Sequence, residues 1–155
     1  MNPTALDHPA NAGLRRRFGA RELRPELPPL ASPAQIEQPY MALGTHPDLV
    51  ARLWDELPTE LPVDCRAVVY GTPALMRPTT GIVFGFANGT HTYALRLPEL
   101  DRAEAIRAGA TRVTHHTGGQ PSSDLEDLGP EWVFCRWLPD ERAWCRAAYE
   151  FASVG

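Results

Sequence analysis

"GIVFGFANGTHTYALRLPE", residues 81–99, decides the fold. Asn88-Gly89 stands midway between two runs rich in β-branched and aromatic residues. A type I′ turn needs positive φ at both central positions, which Asn-Gly supplies. The stretch therefore predicts an antiparallel hairpin closed by a two-residue loop. That register sets Ala87 opposite Thr90, Phe86 opposite His91, Phe84 opposite Tyr93 and Ile82 opposite Leu95. Strand alternation then puts Ile82, Phe84, Phe86, His91, Tyr93, Leu95 and Leu97 on one bulky face. Val83, Gly85, Ala87, Thr90, Thr92, Ala94 and Arg96 fall on a smaller one. His91, Tyr93 and Arg96 do not converge, so the stretch reads first as a folding device.

Working outward, "THPDLVARLWDEL" predicts an amphipathic helix. Thr45 is its N-cap, Leu49, Leu53, Trp54 and Leu57 form its apolar stripe, and Pro58 closes it. "CRAVVY" reads as a strand ending at Gly71, and "PALMRPTTG" as a short edge strand or turn, because Pro73 and Pro78 cannot donate to a ladder. After the hairpin, Pro98 starts a helix with acids in its first turn, Arg107 late and Gly109 as C-cap. "TRVTHH" and "EWVFCRWL" are strands, separated by a Gly/Ser/Asp loop from Thr117 to Pro130. On the second, Trp132 and Phe134 face one way and Val133, Cys135 and Trp137 the other. A final helix begins with Asp140 as cap and carries Trp144, Ala148 and Phe151 inward. The expected fold is α+β: an antiparallel sheet with a central Asn-Gly hairpin, packed by about three helices on one side.

The first 38 residues read differently. Pro3, Pro9, Pro25, Pro28, Pro29 and Pro33 punctuate a segment with few large apolar side chains. Such a composition buries too little surface to offset its ordering entropy. Residues 1–38 are therefore expected to be a flexible Pro/Arg-rich arm, and residues 39–155 a single domain. Inside the arm, Arg15, Arg16, Arg17, Arg21 and Arg24 stand against Glu22, a local charge of +4.

Composition excludes several function classes. All 15 basic residues are Arg, a coding bias of a GC-rich bacterial genome, so lysine Schiff bases and a P-loop lysine are ruled out. Net charge is −4, which offers no global field for nucleic acid or an anionic membrane. The three cysteines, Cys65, Cys135 and Cys145, have no C-x-x-C spacing, which points to a reducing cytoplasm rather than a disulfide framework or zinc ribbon. No apolar run approaches the ~20 residues that span a bilayer.

Several landmarks in this order carry a family resemblance. They are "YGTP" at Tyr70–Pro73, the "GIVFGFA" strand, "YALRLPE" leading into a helix, and the aromatic strand and helix of "EWVFCRWLPDERAWCRAAYEFA" with Ala148-Tyr149. Together they make residues 43–152 similar to the small bacterial MmcQ/YjbR-like proteins. Thr80-Gly81 stands where that family often has Gly-Lys. The resemblance implies a compact α+β fold with a curved sheet and a proposed role in nucleic-acid binding. It implies no enzyme and no catalytic residues.

Chemistry-bearing residues are sparse. His115-His116 are adjacent and on a strand point to opposite faces, which does not suit one metal. Cys135 and Cys145 sit beside tryptophans, as core thiols do. Asp124, Glu126 and Asp127 lack the glycine and spacing of an EF-hand loop. No G-x-S-x-G, H-E-x-x-H or P-loop occurs, so no catalytic residue, metal or cofactor is expected. Arg77, Tyr93, Arg96, Arg112, Arg136 and Trp137 lie on or beside predicted strands, where Arg and aromatic side chains together bind anions or stack bases. The reading that follows is a non-enzymatic cytoplasmic binding module for a protein partner or a small anionic molecule. Two others stand behind it. One is a nucleic-acid-binding protein using the Arg-rich arm and the sheet face; the other is an enzyme with His91 or His115 as general base, which no spacing supports.

Overall fold

The computed structural model describes residues 5–21, 27–41, 45–89, 91–112 and 128–153. Among these, seven strands form one sheet: β1 (Leu30–Ala31), β2 (Arg66–Val69), β3 (Thr72–Arg77), β4 (Ile82–Asn88), β5 (Thr92–Arg96), β6 (Thr111–Arg112) and β7 (Trp132–Cys135). Their spatial order is β1-β2-β3-β4-β5-β7-β6. Every neighbouring pair is antiparallel. The helices are α1 (Ala12–Arg21), α2 (Pro47–Ala51), α3 (Glu99–Ala108) and α4 (Glu141–Phe151). The class is α+β, as expected. No helix among the described residues is long and apolar enough to cross a membrane.

β4 and β5 do pair, but three residues out of the predicted register. Asn88 lies opposite Thr92, Ala87 opposite Tyr93, and Phe86 opposite Ala94. Asn88 is thus a strand residue, and Gly89 follows it at φ +72. A bulge accompanies this change. β3 pairs Met76 with Val83 but Leu75 with Gly85, so Phe84 is the extra residue. Beyond the bulge the faces exchange. Phe84 joins Ile82, Tyr93 and Leu95 in one core, whereas Phe86 joins Val83 and Ala94 in the other. Strict alternation would have put both phenylalanines on one side. The bulge gives each core a large ring, which a sheet buried on both faces needs.

The first core lies under α2, α3 and α4, in agreement with the expected three helices on one side. Leu49, Leu53, Trp54, Ala105, Trp144, Cys145 and Ala148 pack there against Leu75, Phe84, Tyr93, Leu95 and Val133. α2 is capped by His46, whose Nδ1 accepts the Asp48 N–H at 3.0 Å, rather than by Thr45. It continues through residues 52–56 as a single π turn, the Leu57 N–H reaching the Arg52 carbonyl at 3.0 Å. The extra residue keeps Leu49, Leu53, Trp54 and Leu57 all buried. α3 begins after Pro98 and ends at Gly109, φ +126, as its sequence predicted. α4 departs from expectation at its start, because Asp140 adopts φ +68 and makes no side-chain cap. "PALMR" is a central strand, not an edge. Pro73 is paired by β2 only, β4 pairing beginning at Ala74.

The second core corrects the reading of residues 1–38 wherever they are described. Leu6, Leu14 and Phe18 are buried against Val83, Phe86, Ala94 and Trp132 on the opposite face of the sheet. Phe18 meets Phe86 edge-on at 5.0 Å between centroids, and Phe86 meets Trp132 at 5.1 Å. Each such pair adds about 0.5–1.5 kcal/mol beyond its area. Asn11, 1% exposed, fixes the segment by two strong contacts. Its Nδ2 donates to the Gly81 carbonyl at 2.8 Å, and its Oδ1 accepts the Val83 N–H at 3.0 Å. Val83 lies on β4 and Gly81 just before it, both beyond the last pair with β5, Gly85↔Leu95, so one amide side chain stands in for a strand. Average composition hid the segment because a few well-placed apolar side chains suffice to dock it. Arg24, His115, His116, Asp124, Glu126 and Asp127 lie outside the described residues, as does most of the Thr117–Pro130 loop.

Candidate functional site

β5 carries two of the sequence-nominated residues at its opposite ends. Tyr93, fully buried, faces the first core, and its ring meets Trp137 at 6.1 Å. Trp137 follows the end of β7 in a left-handed conformation, φ +57, and is 46% exposed. A bulky residue held at positive φ is an outlier that its surroundings must enforce. Here the enforcing group is Glu141 at the start of α4, only 1% exposed. Its Oε2 accepts the Leu138 N–H at 2.6 Å, and its Oε1 accepts from Arg52 Nη2 at 2.7 Å. Arg52 also holds Glu56 at 3.0 Å. Burial acts to lower the Arg52 pKa, but its bonds to Glu141 and Glu56 outweigh that and raise it, keeping the guanidinium charged. Neither Arg52 nor Glu141 was nominated from the sequence. A buried ion pair between residues 89 apart leaves no local signature.

Arg96, at the other end of β5, is 6% exposed. Its guanidinium carbon lies 4.4 Å above the centre of the Phe151 ring, near the end of α4. Nε and Nη1 are buried, with no hydrogen-bond partner among the described residues. Burial pulls the Arg96 pKa down, against the neighbouring charge of Glu131. A cation–π contact of this kind contributes about 0.5–2 kcal/mol but supplies no acceptor for an N–H. Arg77 lies at the same end of the sheet and has structural partners. Its Nη1 donates to the Tyr149 carbonyl at 2.9 Å and its guanidinium covers the Tyr149 ring at 4.0 Å. Thr80 Oγ1 donates to the Ala152 carbonyl at 2.7 Å. Together they add side-chain donors at the C-terminal end of α4, where the Tyr149 carbonyl also accepts the Ala152 N–H at 3.2 Å.

The other nominees are dispersed. Arg136 is exposed beside Trp137, and Arg112 contributes its backbone to β6 opposite Val133. In α1, Arg15 pairs with Asp7 at 3.3 Å, Arg16 is exposed, and Arg17 is buried over the Phe18 ring; Arg21 closes the helix. The six proposed ligand-binding residues therefore divide between the Tyr93–Trp137 end and the Arg96 end of the sheet. His91 is exposed. Cys65, Cys135 and Cys145 are free and buried, and burial pushes their thiols up to about 11, 12 and 12. Thiols so raised are neutral at physiological pH and poor nucleophiles. No group of three His, Cys, Asp or Glu side chains among the described residues is arranged to hold a metal ion. Comparison with family models, with curated proteins and with solved structures finds no match for this chain.

Proposed function

We propose that this chain is a non-enzymatic, cytoplasmic binding module whose ligand is a small anionic molecule recognised by Arg96. One observation carries the reading: a guanidinium buried at the end of β5 whose Nε and Nη1 have no acceptor among the described residues. A buried donor without an acceptor costs about 1–3 kcal/mol, more when charged. A bound carboxylate or phosphate oxygen removes that cost and forms a charge-assisted hydrogen bond. Phe151 on one face of the guanidinium fixes its plane for such an encounter. The free, buried thiols are in keeping with a reducing compartment.

The nucleic-acid role implied by a likeness to MmcQ/YjbR-like proteins is less well supported. Both sheet faces carry buried cores, and Arg17 is buried over Phe18. A stacking platform needs an open face.

The test is an NMR titration that follows the Arg96 side-chain Nε–Hε resonance with inorganic phosphate, sulfate and acetate, chloride holding the ionic strength constant. Saturable movement of that resonance, abolished in Arg96→Met, is expected with at least one of the anions. No movement with any of them overturns the reading.

A further inference from the structure

A concavity lies between the N-terminal segment and the turn joining β2 to β3. It is a cleft of about 220 Å³ lined by Leu6, Asp7, Arg15, Pro28, Pro29, Leu30 and Tyr70. We propose that it binds a free zwitterionic amino acid with an apolar side chain, independently of Arg96. Among the described residues, the charged members of the lining are one acid and one base, Asp7 and Arg15. They pair with each other loosely. The Arg15 Nη1 to Asp7 Oδ1 distance is 3.3 Å and the side chains are 45% and 56% exposed, whereas a tight charge-assisted bond measures about 2.7–2.9 Å. Such a pair opens at little cost, since exposed ion pairs contribute about 0–1 kcal/mol.

A free amino acid carries an ammonium and a carboxylate on one carbon. It therefore offers both signs of charge at a spacing that one adjacent acid–base pair can meet, carboxylate to Arg15 and ammonium to Asp7. A simple anion would leave Asp7 facing like charge, and a simple cation would do the same to Arg15. The remaining walls, Leu6, Pro28, Pro29, Leu30 and Tyr70, are apolar or aromatic and suit an aliphatic side chain. An apolar cavity of about 150 Å³ accepts a benzene-sized body, so about 220 Å³ holds a branched aliphatic one. Tyr70 forms a fixed wall. It is held at φ +49, and its N–H donates to the Pro29 carbonyl at 2.8 Å. A non-glycine residue kept in that region costs about 1–3 kcal/mol and is found where the surroundings over-determine it, binding sites among them.

The test is a backbone amide titration of the full chain with L-leucine, 3-methylbutylamine and 4-methylpentanoate. Leucine is expected to move the Tyr70 and Leu30 amides saturably and to bind at least about tenfold more tightly than either single-charge analogue. Asp7→Asn and Arg15→Gln should each weaken leucine binding by about tenfold or more, with spectra showing an intact fold. Arg96→Met should leave it unchanged, which separates this site from the anion site. Failure of leucine to move those amides, equal binding of the amine or the acid, or leucine affinity that survives both Asp7→Asn and Arg15→Gln overturns the proposal.

Discussion

The two faces of this sheet are covered by different means. The first is closed by α2, α3 and α4, helices with apolar residues at helical spacing and recognisable ends. The second is closed by a proline-punctuated segment that docks through Leu6, Leu14 and Phe18 and is pinned by Asn11. Redundancy separates them. The first core spreads its burial over many large side chains, whereas the second depends on a few contacts that composition does not reveal. The first should therefore govern global stability, and the second should open first.

The largest effect should come from the first face. Trp144→Ala removes a buried ring and should cost about 3–5 kcal/mol, measured by urea unfolding. A smaller loss than Asn11→Ala would invert the ranking of the faces. Asn11→Ala leaves the Gly81 carbonyl and the Val83 N–H without their partner and should cost about 1–3 kcal/mol. Its mark should be local: faster exchange of the Val83 amide and of α1 amides, with α4 amides unchanged. Equal acceleration in α1 and α4 would mean that the two faces open as one unit.

Gly85→Ala probes the bulge that joins them. An added Cβ would lie 3.2 Å from Leu95 Cδ2 and 3.4 Å from the Ala94 carbonyl oxygen, an overpacking cost of about 1–3 kcal/mol in thermal unfolding. An unchanged melting temperature would show that the β4–β5 contact gives way freely.

Alkaline pH acts on the first face through its three thiols. Burial raises the folded pKa of Cys135 and Cys145 from 9.0 to about 12, and that of Cys65 to about 11. Their contribution is therefore complete below pH 9 and is lost as pH rises toward those folded values. Stability should fall by up to about 1.4 kcal/mol per pH unit for each thiol. A stability flat from pH 8 to 10.5, or rapid labelling of all three thiols in the native state, would contradict their burial. Least of all, Arg146→Ala, which removes the exposed pair with Glu60 at 2.8 Å, should change stability by less than about 0.5 kcal/mol.

What could be read beforehand follows the same division. Elements with local grammar were legible: α3 between Pro98 and Gly109, the alternation of Trp132 and Phe134 against Val133 and Cys135, and the strands either side of Asn88. Register was not, because the Phe84 bulge answers a demand from both cores at once, and that demand exists only after the N-terminal segment has docked. The same holds for the candidate sites. Arg96 was visible as a strand arginine, but its burial under Phe151 depends on where α4 ends. Arg52 and Glu141 meet only because a π turn and a left-handed bend bring them together. The cleft at Tyr70 needs the segment that composition consigned to a free arm.

Among the described residues the sheet ends on one side in β1, only two residues long. An invading β-strand needs a run of open backbone donors and acceptors to template on, and the β1 margin offers almost none. That margin is thereby a poor template for runaway polymerisation by strand addition. Recognition at that margin is left to side chains rather than to backbone.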